Sequence, residues 1–260
     1  MSLIQRSCTG LVAGCAAVFL WSATAAREAQ APTAPIETFR EEFDGASLGS
    51  VWKILKEDKK RWFLDAGKLV IVTQRGSIAQ KQDTLRNQII LDRVLPADYT
   101  MTTKLAIPLR SQGNWAGIMD YVDRDNYLRV AYWAKPHGMN LWRKAVFNKE
   151  IASEANTLEF GPRRLGREKD PSSIDFVGGR RDPETIWLRL EKRGRTFTGS
   201  FSMDGAQWHK IGDHLVPPVG EGKLSLAAAN SEQSIDAYGQ KQAEVAAQFD
   251  FVEVVPGNRR

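Results

Sequence analysis

"NWAGIMDYVDRDNYLRVAYW", residues 114–133, sets three aspartates, Asp120, Asp123 and Asp125, between two apolar, aromatic-rich runs. Three structures put acids this close together: a calcium loop, a catalytic carboxylate cluster and a hairpin tip. A calcium loop of the EF-hand type opening at Asp123 requires Gly at its sixth position and Glu at its twelfth. Leu128 and Ala134 stand there instead. A hairpin fits better, because Asp and Asn favour tight turns and the flanks suit strands. A turn centred on Arg124-Asp125 pairs Val122 with Tyr127, Asp120 with Arg129, Ile118 with Ala131 and Ala116 with Trp133. One face then carries Met119, Tyr121, Leu128, Val130 and Tyr132 and belongs to a core. The other mixes Asp120, Arg129, Tyr127 and Trp133, with opposite charges facing each other, a pairing of roughly 0.2–1 kcal/mol. Aromatic rings beside charged groups suit a sugar, whose C–H faces stack while its hydroxyls bond. Trp115 and Trp142, the latter in "MNLWRKAVF", extend the same patch. A solvated sheet face with a structural ion pair is the alternative. Asp123 and Asp125, at a solvated tip, are not expected to do chemistry.

The same rhythm runs through the chain. Short apolar runs such as "KLVIVTQ", "QIILDRV", "WLRLEK", "TFTGSFS" and "KLSLAAA" alternate with turn residues. Many short strands with turns every 8–12 residues predict an all-β sandwich over residues 38–256. Helical pattern is confined to "DTLRNQ" (83–88) and "SIDAYGQKQAEVAAQ" (234–248). Residues 148–184 are polar, charged and rich in Gly and Pro, and are expected to form a long insertion loop.

At the start of the chain, Arg6 precedes an apolar stretch at 9–21 and "SATAA", the pattern of a signal peptide over residues 1–25. An uncleaved anchor, and lipidation at Cys15 in "VAGC", are alternatives to cleavage. Residues 26–37 form an Ala/Pro linker. The only cysteines, Cys8 and Cys15, precede that cut, so the mature chain is expected to be exported, without disulfides and without a membrane span. A net charge of +5 is modest for 260 residues. With no recognition-helix pattern it does not argue for nucleic acid, and an acidic glycan or anionic surface is the weaker expectation.

"EEFDGASLGSVWKIL", "RWFLDAGKLVI", the hairpin above and "WLRLEKRGRTFTGSFSMDGAQWHKIG" together resemble the concanavalin A-like lectin/glucanase sandwich. They are most similar to the C-terminal domain of family 43 β-xylosidases and its free-standing bacterial relatives, over about residues 40–133 and 186–254. The resemblance implies a two-sheet antiparallel jelly roll with a concave face and a polysaccharide or oligosaccharide as partner. No catalytic propeller precedes the domain in this sequence, so xylosidase activity is not implied. "SMDGAQW" resembles one Asp-box turn, with Asp204-Gly205 turning the chain and Trp208 packed beneath. Two functions from different classes remain: a secreted carbohydrate-binding protein, and a glycan-active hydrolase or lyase of the same fold, including the 3-keto-disaccharide hydrolase-like sandwiches. An envelope structural or interaction protein is the third. Catalysis has weak support, because no E-x-D-x-x-E string occurs, and His137, His209 and His214 have no metal-ligand spacing. No cofactor is required. In the resembling sandwiches the first and last strands run side by side and some hold a structural calcium. Glu42, Asp44, Gly45 and Asp250 are the candidate ligands here, and a plain turn at Asp44-Gly45 is the alternative.

Overall fold

Alternating apolar residues punctuated by turns produce strands throughout the computed structural model, which describes residues 37–79, 82–137, 140–160, 185–231 and 243–257. Of residues 135–137, 140–143 and 160 only the backbone is described. In chain order the strands are β1 (Phe39–Glu41), β2 (Trp52–Leu55), β3 (Trp62–Leu64), β4 (Leu69–Val72), β5 (Gln74–Arg75), β6 (Gln88–Val94), β7 (Tyr99–Ala106) and β8 (Asn114–Asp123). They continue as β9 (Asn126–His137), β10 (Asn140–Ile151), β11 (Glu154–Phe160), β12 (Thr185–Arg193), β13 (Thr196–Ser202), β14 (Trp208–Leu215), β15 (Lys223–Asn230) and β16 (Ala246–Pro256). The first sheet runs β14-β13-β12-β7-β16-β4-β3, with β1 on β16, and the second runs β11-β10-β9-β8-β15-β6-β2, with β5 on β15. All of these pairs are antiparallel except the short β5–β15 contact. This is the expected two-sheet antiparallel sandwich of concanavalin A-like type.

Between the sheets Met101, Leu105, Leu188, Phe201 and Val252 of the first meet Ile118, Leu128, Val130, Tyr132 and Phe147 of the second. A second cluster lies on the far side of the second sheet. There Ile78 and Leu85 pack on Trp115, Met119, Tyr127 and Ala227. The middle of β8 and β9 is therefore buried on both faces, which explains why their sequences are apolar almost without a break.

Residues 114–133 form one hairpin around Arg124-Asp125, as expected, and both Met119 and Val130 are buried. The aspartates at the tip are fasteners. Asp123 Oδ1 accepts the Asp125 N–H at 2.8 Å, and Asp125 Oδ1 accepts the Ser153 hydroxyl at 2.8 Å. The expected loop at 148–184 begins instead as strand, since Asn148–Ile151 end β10 and Glu154–Phe160 form β11. Ala152 and Ser153 join them with φ of 52° and 64°, the left-handed pair of a tight hairpin turn. Residues 161–184 lie outside the described residues, as do the leader, linker and both cysteines within residues 1–36. Neither helical expectation holds where it can be followed. Asn87, at φ 51°, turns the chain and bonds Asp58, Gln88 opens β6, and Ala246–Gln248 belong to β16, while residues 234–242 lie outside the described residues.

The sheets approach closely where β13 crosses β10. A Cβ on Gly199 would stand 2.6 Å from the Phe147 ring. Gly199→Ala should lower stability by about 1–3 kcal/mol through overpacking. Thermal melting checks it, and an unchanged Tm would show that the two sheets can part at no cost.

Candidate functional site

The hairpin turn leaves Asp123 opposite Asn126, and the strict register would next pair Val122 with Tyr127. A β-bulge intervenes, so that Tyr121 pairs with Tyr127. Every residue upstream in β8 thereby changes face relative to β9. Asp120 stands opposite Leu128 and points between the sheets, while Met119 stands opposite Arg129. The expected Asp120–Arg129 pair is thus corrected, and the predicted patch divides in two.

On the outer face of the second sheet the structure does bring together Trp115, Tyr127, Arg129 and Trp133. The Arg129 guanidinium carbon lies 4.2 Å from the Trp115 ring centre, 5.0 Å from Trp133 and 5.9 Å from Tyr127. Its Nε and Nη2 donate to Asn148 Oδ1 at 3.3 and 3.1 Å. Burial pushes its pKa down, and the neighbouring Tyr127 and Glu150 push it back up. Arginine retains its proton in such places, and a desolvated guanidinium over an aromatic face is worth about 2 kcal/mol or more. Tyr127 donates to Glu150 Oε2 at 2.8 Å, and burial raises the phenol well above its ordinary pKa. Arg129 is 4% exposed, so the ring of aromatics encloses it, whereas Trp133 and Tyr121 remain partly exposed. Trp142 lies in β10 opposite Lys135, and its side chain is outside what is described. Glu150 and Asn148 had no place in the sequence reading, which put both in an insertion. The alternation Lys144, Val146, Asn148, Glu150 against Trp133, Ala131, Arg129, Tyr127 is the signal that marks them.

Asp120 sits on the opposite side of the same sheet. Its Oδ2 accepts the Tyr99 hydroxyl at 2.7 Å, and its buried Oδ1 has no hydrogen-bond partner among the described residues and rests against Gly222. Burial raises the carboxyl pKa, with the Tyr99 hydrogen bond and the Lys192 charge opposing. A cavity of ≈ 160 Å³ opens beside it, walled by Lys192, Phe197, Pro217, Pro218 and Val219. Asp120 is the one carboxylate among its described lining residues.

The four calcium candidates do not assemble. β1 does pair with β16, as expected, but the Asp250 carboxylate is taken by Lys104 at 2.7 Å and Lys68 at 3.3 Å. Glu42 pairs with Arg40, and Asp44 lies beside Gly67, which closes the next turn. Among the described residues no three of His, Cys, Asp and Glu converge to hold a metal. Two ammonium groups on Asp250 already supply the positive charge a calcium ion would bring.

Asp120 yields a test with a definite sign. Well below pH 3.8 the carboxyl is protonated folded and unfolded, so burial has no ionisation cost there. As pH rises the unfolded chain ionises first, and the native state loses stability until its own carboxyl ionises. Asp120→Asn removes that loss, so its advantage in Tm over the parent should grow by a few degrees between pH 3 and pH 7. An advantage equal at both pH values in melting experiments would overturn the assignment.

Solved structures of low identity share this sandwich. The GH43 BlXynB protein of Bacillus licheniformis matches with 18% identity and a TM-score of 0.62, over 84% of this chain and 39% of that one. A xylan β-1,4-xylosidase from Bacillus halodurans C-125 matches with 17% identity and a TM-score of 0.59, over 87% and 41%. A functionally unknown protein from Saccharomyces cerevisiae matches with 13% identity and a TM-score of 0.57, over 81% and 98%. The chain thus spans about two fifths of the length of the two bacterial proteins. No curated protein matches. The model of the β-xylosidase C-terminal concanavalin A-like domain matches residues 40–221, the greater part of the chain, and the protein belongs to that family.

Proposed function

We propose that this protein is an exported carbohydrate-binding sandwich that recognises a polysaccharide along the aromatic face around Arg129. The observation that carries the reading is the enclosure of one guanidinium by Trp115, Trp133 and Tyr127, with Trp133 still partly exposed. Arg129 holds the rings in place, and the exposed edge of Trp133 is the surface a sugar ring stacks on. Family membership supports a carbohydrate partner, and the name of the Bacillus halodurans relative makes xylan the first polysaccharide to try. The apolar stretch at residues 9–21 supports export.

Binding is favoured over hydrolysis by the placement of the acids. A glycosidase sets two carboxylates about 5–9.5 Å apart across one scissile bond. Asp120 and Glu150 face opposite sides of the second sheet, so one sugar cannot lie between them.

Electrophoresis of the purified protein through gels containing xylan or other plant and bacterial polysaccharides tests the reading. Trp133→Ala should weaken retardation about tenfold, equivalent to about 1.4 kcal/mol, with Tm changed by only a few degrees. Arg129→Ala should instead lower Tm steeply, because three rings lose their packing partner. Undiminished retardation of the folded Trp133→Ala protein, or retardation of the parent by no polysaccharide, would sink the proposal.

A further inference from the structure

Among the described residues, one cation on the outer face of the first sheet has nothing to bind. Across this face the charges are matched: Arg40 with Glu42 and Glu253, Lys104 and Lys68 with Asp250, Lys210 with Asp213, and Arg193 with Glu191. Arg189, in β12, is the exception. Among the described residues no acceptor reaches its guanidinium, and its buried Nε has no hydrogen-bond partner. It is nevertheless held in place. Its guanidinium carbon lies 3.5 Å from the ring centre of Trp208.

The Asp-box turn fixes that ring. Asp204 Oδ1 accepts the N–H groups of Ala206 and Gln207 at 2.8 Å each, and Ser202 Oγ accepts that of Gly205 at 2.9 Å. Gly205, at φ 77°, settles on Trp187, so Trp187 and not Trp208 is the ring beneath the turn, which corrects the sequence expectation. Trp208 is thereby free to stack on Arg189. Directly across from Arg189 stand Ser200 on β13 and Thr102 on β7. Trp187, two residues along β12 on the same face, remains partly exposed.

We propose that Arg189, backed by Trp208 and flanked by Trp187, is a binding site for the carboxylate of a uronic-acid residue in an acidic polysaccharide. The inference rests on the carbohydrate-binding reading above and places a second site on the opposite sheet. A planar guanidinium with free N–H groups matches a carboxylate in two parallel hydrogen bonds, and stacking on a ring preorganises it for that geometry. Gly205 and the Lys104 ammonium already lie against the Trp187 ring, so Trp187 walls the site with its partly exposed edge. The two nearest acids do not fill the place: Glu253 receives Arg40 at 3.5 Å and Glu191 receives Arg193 at 3.6 Å. A nucleic acid or an anionic membrane calls for a field of unpaired cations. Here the neighbouring cations are neutralised and a single guanidinium is open, which suits a single carboxylate on an otherwise neutral sugar.

Binding of the full-length mature protein is measured with glucuronoxylan and with the same polymer after reduction of its carboxyl groups. The parent should bind the acidic polymer about tenfold more tightly. Arg189→Ala should abolish that preference and leave affinity for the reduced polymer within twofold, while Arg189→Lys restores part of it. Trp133→Ala should weaken both polymers alike. Equal affinity of the parent for the two polymers overturns the inference and leaves the carbohydrate-binding reading standing. An acidic preference that survives in Arg189→Ala also overturns it, as does a loss confined to binding of duplex DNA or anionic phospholipid vesicles. Failure of the parent to bind either polymer removes both readings.

Discussion

Val122 is one residue more than β9 can pair. Tyr121 and Val122 together oppose Tyr127, and the extra residue reverses the facing of all of β8 before it. Without the bulge, Asp120 would lie beside Arg129 on the outer face and Met119 would point into the main core. With it, Trp115, Gly117 and Met119 line up with Arg129, Ala131 and Trp133, and Ile118 joins the inter-sheet core. A side-chain period of two makes a single inserted residue decisive, because no intermediate facing exists. The tip beyond the bulge is tied down by Asp123, Asp125 and the Ala152-Ser153 turn, so the slip has no free end through which to relax.

Two arginines show how the same side chain serves opposite ends. Arg129 is buried, walled by three rings and satisfied in part by Asn148. Its removal leaves a hole and an orphaned amide, so its first contribution is to the shape of the face. Arg189 leans on one ring, stays partly exposed and has no acceptor among the described residues. Its stacking partner restricts its motion without using its donors, so a carboxylate that bound there would meet an ordered fork at little entropic cost.

The sandwich and the hairpin were legible in the sequence because alternation and turn residues are local properties. The pairing of β1 with β16 followed from family resemblance. The bulge left no such trace, since Val122 is an ordinary strand residue and nothing nearby marks the extra count. Glu150 and Asn148 were hidden by a turn made of Ala152 and Ser153, residues that seldom take left-handed conformations, so the strand reading stopped too soon. The lysines on Asp250 come from β4's leading turn and β7, far away in sequence, and the ion pairs that occupy this candidate ligand were therefore not visible. Arg189 escaped notice because its meaning depends on an absence. A free guanidinium is recognised only after every neighbouring charge has been matched.

The second sheet acts as a partition between two carboxyls that each accept a tyrosine hydroxyl. Asp120, with Tyr99, faces inward next to a cavity whose described lining offers no second acid. Glu150, with Tyr127, faces outward among aromatics. A backbone layer whose hydrogen bonds are already used within the sheet separates the two. Each carboxyl instead satisfies a tyrosine hydroxyl that burial would otherwise leave unbonded, at a cost of about 1–3 kcal/mol apiece. Both carboxyl environments therefore follow from packing.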